Sequence, residues 1–208
     1  AKVAVFGIGG VGCFAVEALA RVGIGELVLI DPDCVEKSNI NRQLHATFHT
    51  LGQLKVQLMR ERVLSINPGA RVEAIKERYT PKTASILLRP DYSYVLDAVD
   101  DVPAKVDLIA RAQELHIPII SSMGAANRLD ADISETTGCP LARVVRRRLR
   151  NQGITSGVKV VFSPAPPLKL ACNRSDPEQR RPVPGSISFV PPVAGLLMAG
   201  ECVRDLLT

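Results

Sequence analysis

The first chemical signal of this 208-residue chain is an ordered set of glycines and one acid: Gly7, Gly9, Gly10, Gly12 and then Asp31. Glycine at position 7 allows a tight turn, Gly9 lets the backbone approach a phosphate, and Gly12 lets a helix pack closely on a strand. Free amides at the start of the helix that follows, aided by its dipole, favour an anion there. Asp31 is placed to accept both hydroxyls of a ribose. At this point NAD, FAD and ATP all remain open. A denser polar cluster comes one loop later, with Asn39, Asn41, Arg42 and Gln43. Arg42 offers a planar fork for phosphate, and Lys55 a point charge for a second one. Asp97 and Asp100 bracket the run D-A-V-D: Asp97 at the strand tip is a nucleotide-binding candidate, and Asp100 follows the tip, where a carboxylate can hold Mg²⁺ through oxygen. Cations and a metal gathered on a triphosphate supply the charge neutralisation that nucleotidyl transfer needs.

These residues need elements to hold them, and the hydrophobic pattern supplies them. Short apolar runs at Val3–Phe6, Leu27–Ile30, Val72–Ile75, Tyr94–Ala98 and Ile117–Ser121 predict strands. Helical spacing covers the stretch after Gly12 (Val11, Ala15, Ala18, Leu19 and Val22 on one face), Leu51–Ile66, Pro81–Leu88 and Val102–Leu115. Strand and helix alternate, so the predicted fold is α/β: a Rossmann-like, doubly wound, mainly parallel sheet with an irregular C-terminal extension. Residues 1–138 are expected to form the nucleotide-binding region. Residues 139–208 are expected to continue the same domain, with a helix at Pro140–Arg150, strands at Val158–Ser163 and Ser186–Val190, and a closing helix at Val193–Leu206. Pro164–Pro184 reads as a loop or crossover. Ligand groups of such a sheet belong at the C-terminal strand tips, where Gly7–Gly12, Asp31 and Asp97–Asp100 all fall.

Composition narrows the class. With 46% hydrophobic and 23% charged residues, the chain reads as globular and soluble, and its charge of +5 permits acidic or RNA partners. Aromatics are scarce and tryptophan is absent, which disfavours a stacking platform for single-stranded nucleic acid. The five cysteines (Cys13, Cys34, Cys139, Cys172, Cys202) are scattered and form no C-x-x-C pair, so reduced cytoplasmic thiols fit better than a zinc knuckle or dithiol site. Cys13 reads as core and Cys34 as a spacer, while His45 and His49 read as capping or surface residues. No apolar run has the length of a membrane span. The opening residues already read as strand, so a preceding N-terminal segment is expected.

Taken together, G-I-G-G-V-G, Asp31, S-N-I-N-R-Q, Lys55 in L-G-Q-L-K and D-A-V-D resemble the adenylyltransferase family of ubiquitin-activating-enzyme-like proteins. The likeness covers about Lys2–Ala126. It implies ATP and Mg²⁺ as cofactors and adenylation of a carboxylate, with Gly9 and Gly10 along the phosphates and Asp31 on the ribose. It further implies Asn39 and Arg42 on the phosphates, Lys55 near the α-phosphate and Asp100 on Mg²⁺. Within the family, I-N-R-Q-L-H-A, Y-S-Y-V-L-D-A-V-D and K-V-D-L-I are closest to the bacterial branch that cyclises threonylcarbamoyladenosine in tRNA. Its members activate the threonyl carboxylate with ATP, and a nitrogen of the same side chain closes a hydantoin and expels AMP. The resemblance also implies a homodimer and leaves room for a sulfur-transfer protein partner.

Arg143, Arg146, Arg147 and Arg150 recur at i, i+3, i+4, i+7, making one cationic face suited to a tRNA backbone; Arg174, Arg180 and Arg181 offer weaker support. Competing readings are adenylation of a ubiquitin-like sulfur carrier at its C-terminus, a nicotinamide-dependent oxidoreductase, and a non-catalytic nucleotide-binding scaffold. The zinc-binding cysteine pairs usual in sulfur-carrier activators have no counterpart here. The oxidoreductase reading leaves Asn39, Arg42, Lys55 and Asp100 without work.

Overall fold

A computed structural model describes residues 1–123, 128–162 and 188–208, with backbone alone for 128–131. One sheet organises it. Its strands are β1 (Lys2–Phe6), β2 (Glu26–Ile30), β3 (Arg71–Ile75), β4 (Tyr94–Asp97), β5 (Ile119–Ser122), β6 (Arg128–Asp132) and β7 (Lys159–Phe162). They lie in the order β3-β2-β1-β4-β5-β7-β6, all neighbours parallel except β6, which runs antiparallel to β7. Because β6 and β7 fall on either side of residue 139, the expected C-terminal extension completes the same sheet.

Strands β1, β2, β4 and β5 are buried on both faces along nearly their whole length and are mostly apolar, as a parallel sheet covered by helices requires. On one face Val3, Val5, Leu27, Leu29 and Leu96 pack under α1 (Gly12–Arg21), α2 (Lys55–Ile66) and α6 (Val190–Leu207). Alternate residues Ala4, Phe6, Val28, Ile30 and Val95 face α4 (Val102–Glu114) and α5 (Pro140–Arg150) on the other, near the short α3 (Ala84–Leu87). Strand order reverses between β1 and β4, and there Phe6 stands in register with both Ile30 and Asp97. Gly7, Asp31 and Ala98 therefore emerge along one edge, the switch point where doubly wound sheets take ligands.

Differences from expectation have local causes. Val22 is 55% exposed rather than on the inner face of α1, which buries Cys13, Val16 and Ala20 instead. Helix α2 starts at Lys55, four residues later than its apolar spacing predicts, because residues 51–53 turn and Leu54 forms an antiparallel bridge with Cys34. Strand β6 has no counterpart among the expected strands: R-L-D-A-D alternates charges with small or apolar residues and pairs only at the sheet edge. The strand expected at Ser186–Val190 is not formed where it is described. Ser188 and Phe189 make a bend, and Val190 opens α6, whose first turn accepts the two prolines because its N–H groups need no helical partner. Ser186, Ile187 and the Pro164–Pro184 segment lie outside the described residues.

Candidate active site

A cleft of about 550 Å³ opens over the β1–β4 switch point. Its floor depends on two glycines. Gly7 has φ +89°, and a Cβ there would stand 2.6 Å from the carbonyl oxygen of Ala98; a Cβ on Gly12 would stand 1.8 Å from the oxygen of Gly7. Gly12 thus seats α1 against the turn and is not itself on the cleft wall, whereas Gly9 and Gly10 are.

Asp31, at the tip of β2, is 6% exposed. Its Oδ2 accepts from the N–H of Ile8 (2.6 Å) and its Oδ1 from the N–H of Asp33 (2.9 Å), leaving one lone pair on each oxygen for a hydroxyl. Burial raises its pKa, and the two amides and the charge of Lys55 oppose that shift. Along the loop, Asn39 ends a 3-10 turn at Lys37–Asn39 and is 7% exposed; its Oδ1 accepts from the N–H of Glu36 at 3.1 Å. Arg42 donates through Nη1 to the carbonyl of Ser38 (2.8 Å) and to Asn41 Oδ1 (2.9 Å), which braces its guanidinium, while its Cγ and carbonyl oxygen lie beside Gly10 on the cleft wall. Lys55, 5% exposed at the start of α2, reaches the same cleft and pairs with Asp33 at 3.0 Å. Asp33 also faces Arg78 at 3.8 Å. Sequence reasoning misses both Asp33 and Arg78, since nothing in P-D-C or E-R-Y marks them apart from ordinary surface charges.

The two acids of D-A-V-D divide. Asp100 is exposed on the cleft rim and makes no hydrogen bond or ion pair among the described residues. The capping role falls to its neighbour, Asp101, whose Oδ2 accepts from the N–H of Ala104 at 2.8 Å. Asp97 is expected from its strand-tip position to bind the nucleotide, but it is fully buried beneath the cleft. Its Oδ2 accepts from Lys105 Nζ (2.8 Å) and Ser121 Oγ (2.5 Å), and its Oδ1 from the N–H of Val99 (3.1 Å). Asp97 thus fastens the turn that presents Asp100. No cluster of three His, Cys, Asp or Glu side chains suited to a metal occurs among the described residues. The rim carboxylate of Asp100 fits Mg²⁺, which commonly takes one or two carboxylates together with phosphate oxygens and water.

No described side chain stands out as a protein nucleophile. Burial pushes the thiols of Cys13 and Cys202 up to about 12, where thiolate is scarce at neutral pH. His45 is 8% exposed and pushed down to about 4 by burial and the charge of Lys55, so it is neutral at physiological pH. It is a buried residue rather than the surface or capping group expected.

Helix α5 occupies the expected bounds, burying Ala142, Val145 and Leu149. Arg143, Arg147, Arg148 and Arg150 are exposed. Arg146 departs from the expected face: its Nη1 donates to the carbonyl of Thr136 at 2.7 Å, also contacts Thr136 Oγ1, and so ties α5 to the preceding turn. Arg174, Arg180 and Arg181 lie outside the described residues.

A Rossmann-like sheet with a glycine turn, a buried strand-tip carboxylate and clustered cations around one cleft has the form of a nucleotide-binding protein of the adenylating kind. Residues 1–208 match the ThiF family, and the chain belongs to it. It is 45% identical to a tRNA threonylcarbamoyladenosine dehydratase of Bacillus subtilis (strain 168), over 99% of this chain and 86% of that protein. A structure of E. coli TcdA, a tRNA N6-threonylcarbamoyladenosine dehydratase, in complex with ATP superposes with a TM-score of 0.87 at 33% identity. That match covers 100% of this chain and 86% of the other. Similarity is weaker to a molybdopterin-synthase adenylyltransferase of E. coli (strain K12), 31% identical over 78% of this chain and 66% of that protein.

Proposed function

We infer that the chain uses ATP to adenylate the threonyl carboxylate of threonylcarbamoyladenosine in tRNA, and that ring closure to the hydantoin then expels AMP. The observation that carries this reading is the likeness to threonylcarbamoyladenosine dehydratases along virtually the whole chain, joined to a cleft whose cations suit a triphosphate. A carboxylate is a poor electrophile because its leaving group would be oxide. Joining it to AMP makes a mixed anhydride that a nearby amide-type nitrogen can attack. The protein's work is then positioning and electrostatics. Asp31 holds the ribose, and Gly9 and Gly10 line the phosphates. Asn39 orders the loop that carries Arg42, and Arg42 and Lys55 stabilise charge on the phosphates. Lys55 must exchange Asp33 for a phosphate oxygen as ATP enters. Asp100 would hold Mg²⁺, which supplies further charge neutralisation when bound.

Arg143, Arg147 and Arg150 are assigned to the tRNA backbone, with Arg146 as their structural anchor. A homodimer belongs to the same reading, and the exposed Phe189, Val193 and Leu196 along one side of α6 support it. A cytoplasmic location belongs to the same reading, since its substrate would be tRNA. Separately, no described helix is long and apolar enough to cross a membrane. Adenylation of a ubiquitin-like sulfur carrier is the second reading, favoured by the likeness to molybdopterin-synthase adenylyltransferase. ATP–pyrophosphate exchange separates the two. Exchange that needs threonylcarbamoyl-modified tRNA supports the first, and exchange that needs a carrier ending in glycine replaces it with the second.

A further inference from the structure

Among the described residues, buried side-chain polar atoms without a hydrogen bond are Gln43 Oε1, both ring nitrogens of His45 and Glu201 Oε1, and of these residues Gln43 alone lines the cleft. Gln43 is 7% exposed and forms part of the cleft wall, with Nε2 3.9 Å from the point a Cβ on Gly9 would occupy. An unpaired buried amide costs about 1–3 kcal/mol, so one on the wall of a nucleotide cleft asks what it binds. Phosphate accounts for only half of it. An anion is held by donors, and the turn amides, Arg42 and Lys55 already supply them, whereas a carbonyl oxygen repels phosphate oxygens. The terminal torsion of glutamine is broad and roughly two-fold. Since no hydrogen bond among the described residues fixes the Gln43 amide, it can turn its oxygen toward the cleft without breaking one of them.

An acceptor on the wall beside Gly9, which the proposed function sets along the phosphates, suits an N–H, and the ring-closing half of the reaction brings one to that end of the cleft. We propose, resting on the tRNA reading above, that Gln43 is a further catalytic residue that accepts the N–H of the attacking ureido nitrogen and aims its lone pair at the acyl adenylate. In that step a bond forms between nitrogen and the carboxyl carbon, and the carbon–oxygen bond to phosphate breaks. The electron pair leaves with AMP, and the nitrogen's proton passes to a phosphate oxygen of the departing AMP. Gln43 orients the nitrogen and polarises its N–H without keeping the proton. It acts after adenylation, unlike Arg42 and Lys55.

The test uses the full chain, threonylcarbamoyl-modified tRNA and ATP, and compares Gln43→Met with Gln43→Glu. The methionine variant keeps the volume but has neither amide acceptor nor donor; the glutamate variant keeps an acceptor, loses the donor and adds a negative charge that opposes phosphate. Tm, tRNA-dependent pyrophosphate exchange and single-turnover appearance of the cyclised nucleoside are measured on each. Gln43→Met is expected to keep exchange within about threefold of wild type and to lose ring closure by about 100-fold, the scale of one oriented polar contact in a transition state. Gln43→Glu is expected to raise the KM for ATP yet close the ring within about tenfold of wild type at saturating ATP. Parallel loss of exchange and closure in both variants, or wild-type closure in Gln43→Met, overturns the proposal. If Gln43→Met melts far below wild type, the glutamate arm decides alone, and loss of closure there also overturns it. A wild-type protein that forms no cyclised nucleoside instead removes the substrate reading itself, a separate outcome visible in the control.

Discussion

At the scale of single residues, the cleft divides its cations by burial. Lys55 sits almost out of solvent with a half-exposed partner, Asp33, while Arg42 is braced by two oxygens of its own loop. On the proposed reading, an incoming phosphate meets Arg42 already braced and draws Lys55 away from Asp33. Lys55→Ala and Arg42→Ala are each expected to lower kcat for pyrophosphate exchange by about 10²–10³, the usual loss for one preorganised charge contact. Unchanged exchange in either variant would contradict its role. His45 supplies a prediction on stability rather than rate. Its folded pKa lies at about 4, below the ordinary 6.5, so the unfolded chain takes up the proton first. The stability tied to neutral His45 is complete above about pH 6.5 and is lost as the pH falls toward 4. Full loss corresponds to about 3 kcal/mol. Urea unfolding of wild type and His45→Leu between pH 7 and 4 should show the wild type losing stability more steeply, and identical slopes would contradict the assignment.

At the scale of elements, the connection from β4 to α4 is the site's stiffest joint. Asp97, Lys105 and Ser121 join the end of β4, the first turns of α4 and β5 with no solvent access. Removing one partner strands the other charge, so Lys105→Met is expected to destabilise the fold by about 3–5 kcal/mol. Pairing it with Asp97→Leu should recover much of that in chemical denaturation; a double variant no more stable than the single would show that more than charge pairing is at stake. Helix α5 is a different kind of element, tied inward by Val145, Leu149 and Arg146 and cationic outward. Reversing Arg143, Arg147 and Arg150 to Glu is expected to weaken tRNA binding and to flatten its dependence on log salt by about 0.7–0.9 for each phosphate left without its arginine. Affinity and slope equal to wild type would place the tRNA elsewhere.

At the scale of the whole molecule, the glycine turn, the strand alternation and the tip position of Asp31 were legible because each is written locally, in spacing or in a residue type that only one backbone geometry requires. The same holds for α5, whose bounds are marked by Pro140 and by its arginine repeat. What escaped depends on partners remote in sequence. Asp97 and Asp100 look alike in D-A-V-D, and only Lys105 and Ser121 reveal that one is a buried fastener and the other a free rim carboxylate. Arg146 resembles its neighbours until Thr136 is placed beneath it. The edge strand β6 carries no apolar run because only one side of it is paired, and Asp33 becomes notable only once Lys55 lies 3.0 Å away. Tertiary contact assigned these roles.

If this cleft turns ATP into AMP in order to activate a carboxylate on modified tRNA, the two products must appear together. The decisive experiment incubates the purified protein with Mg²⁺, α-labelled ATP and threonylcarbamoyl-modified tRNA, following AMP release and the nucleosides of the same tRNA by mass spectrometry. One AMP is expected for each cyclised nucleoside, with neither formed when the tRNA lacks the modification. AMP released without loss of water from the nucleoside, or no tRNA-dependent AMP at all, would rule the mechanism out.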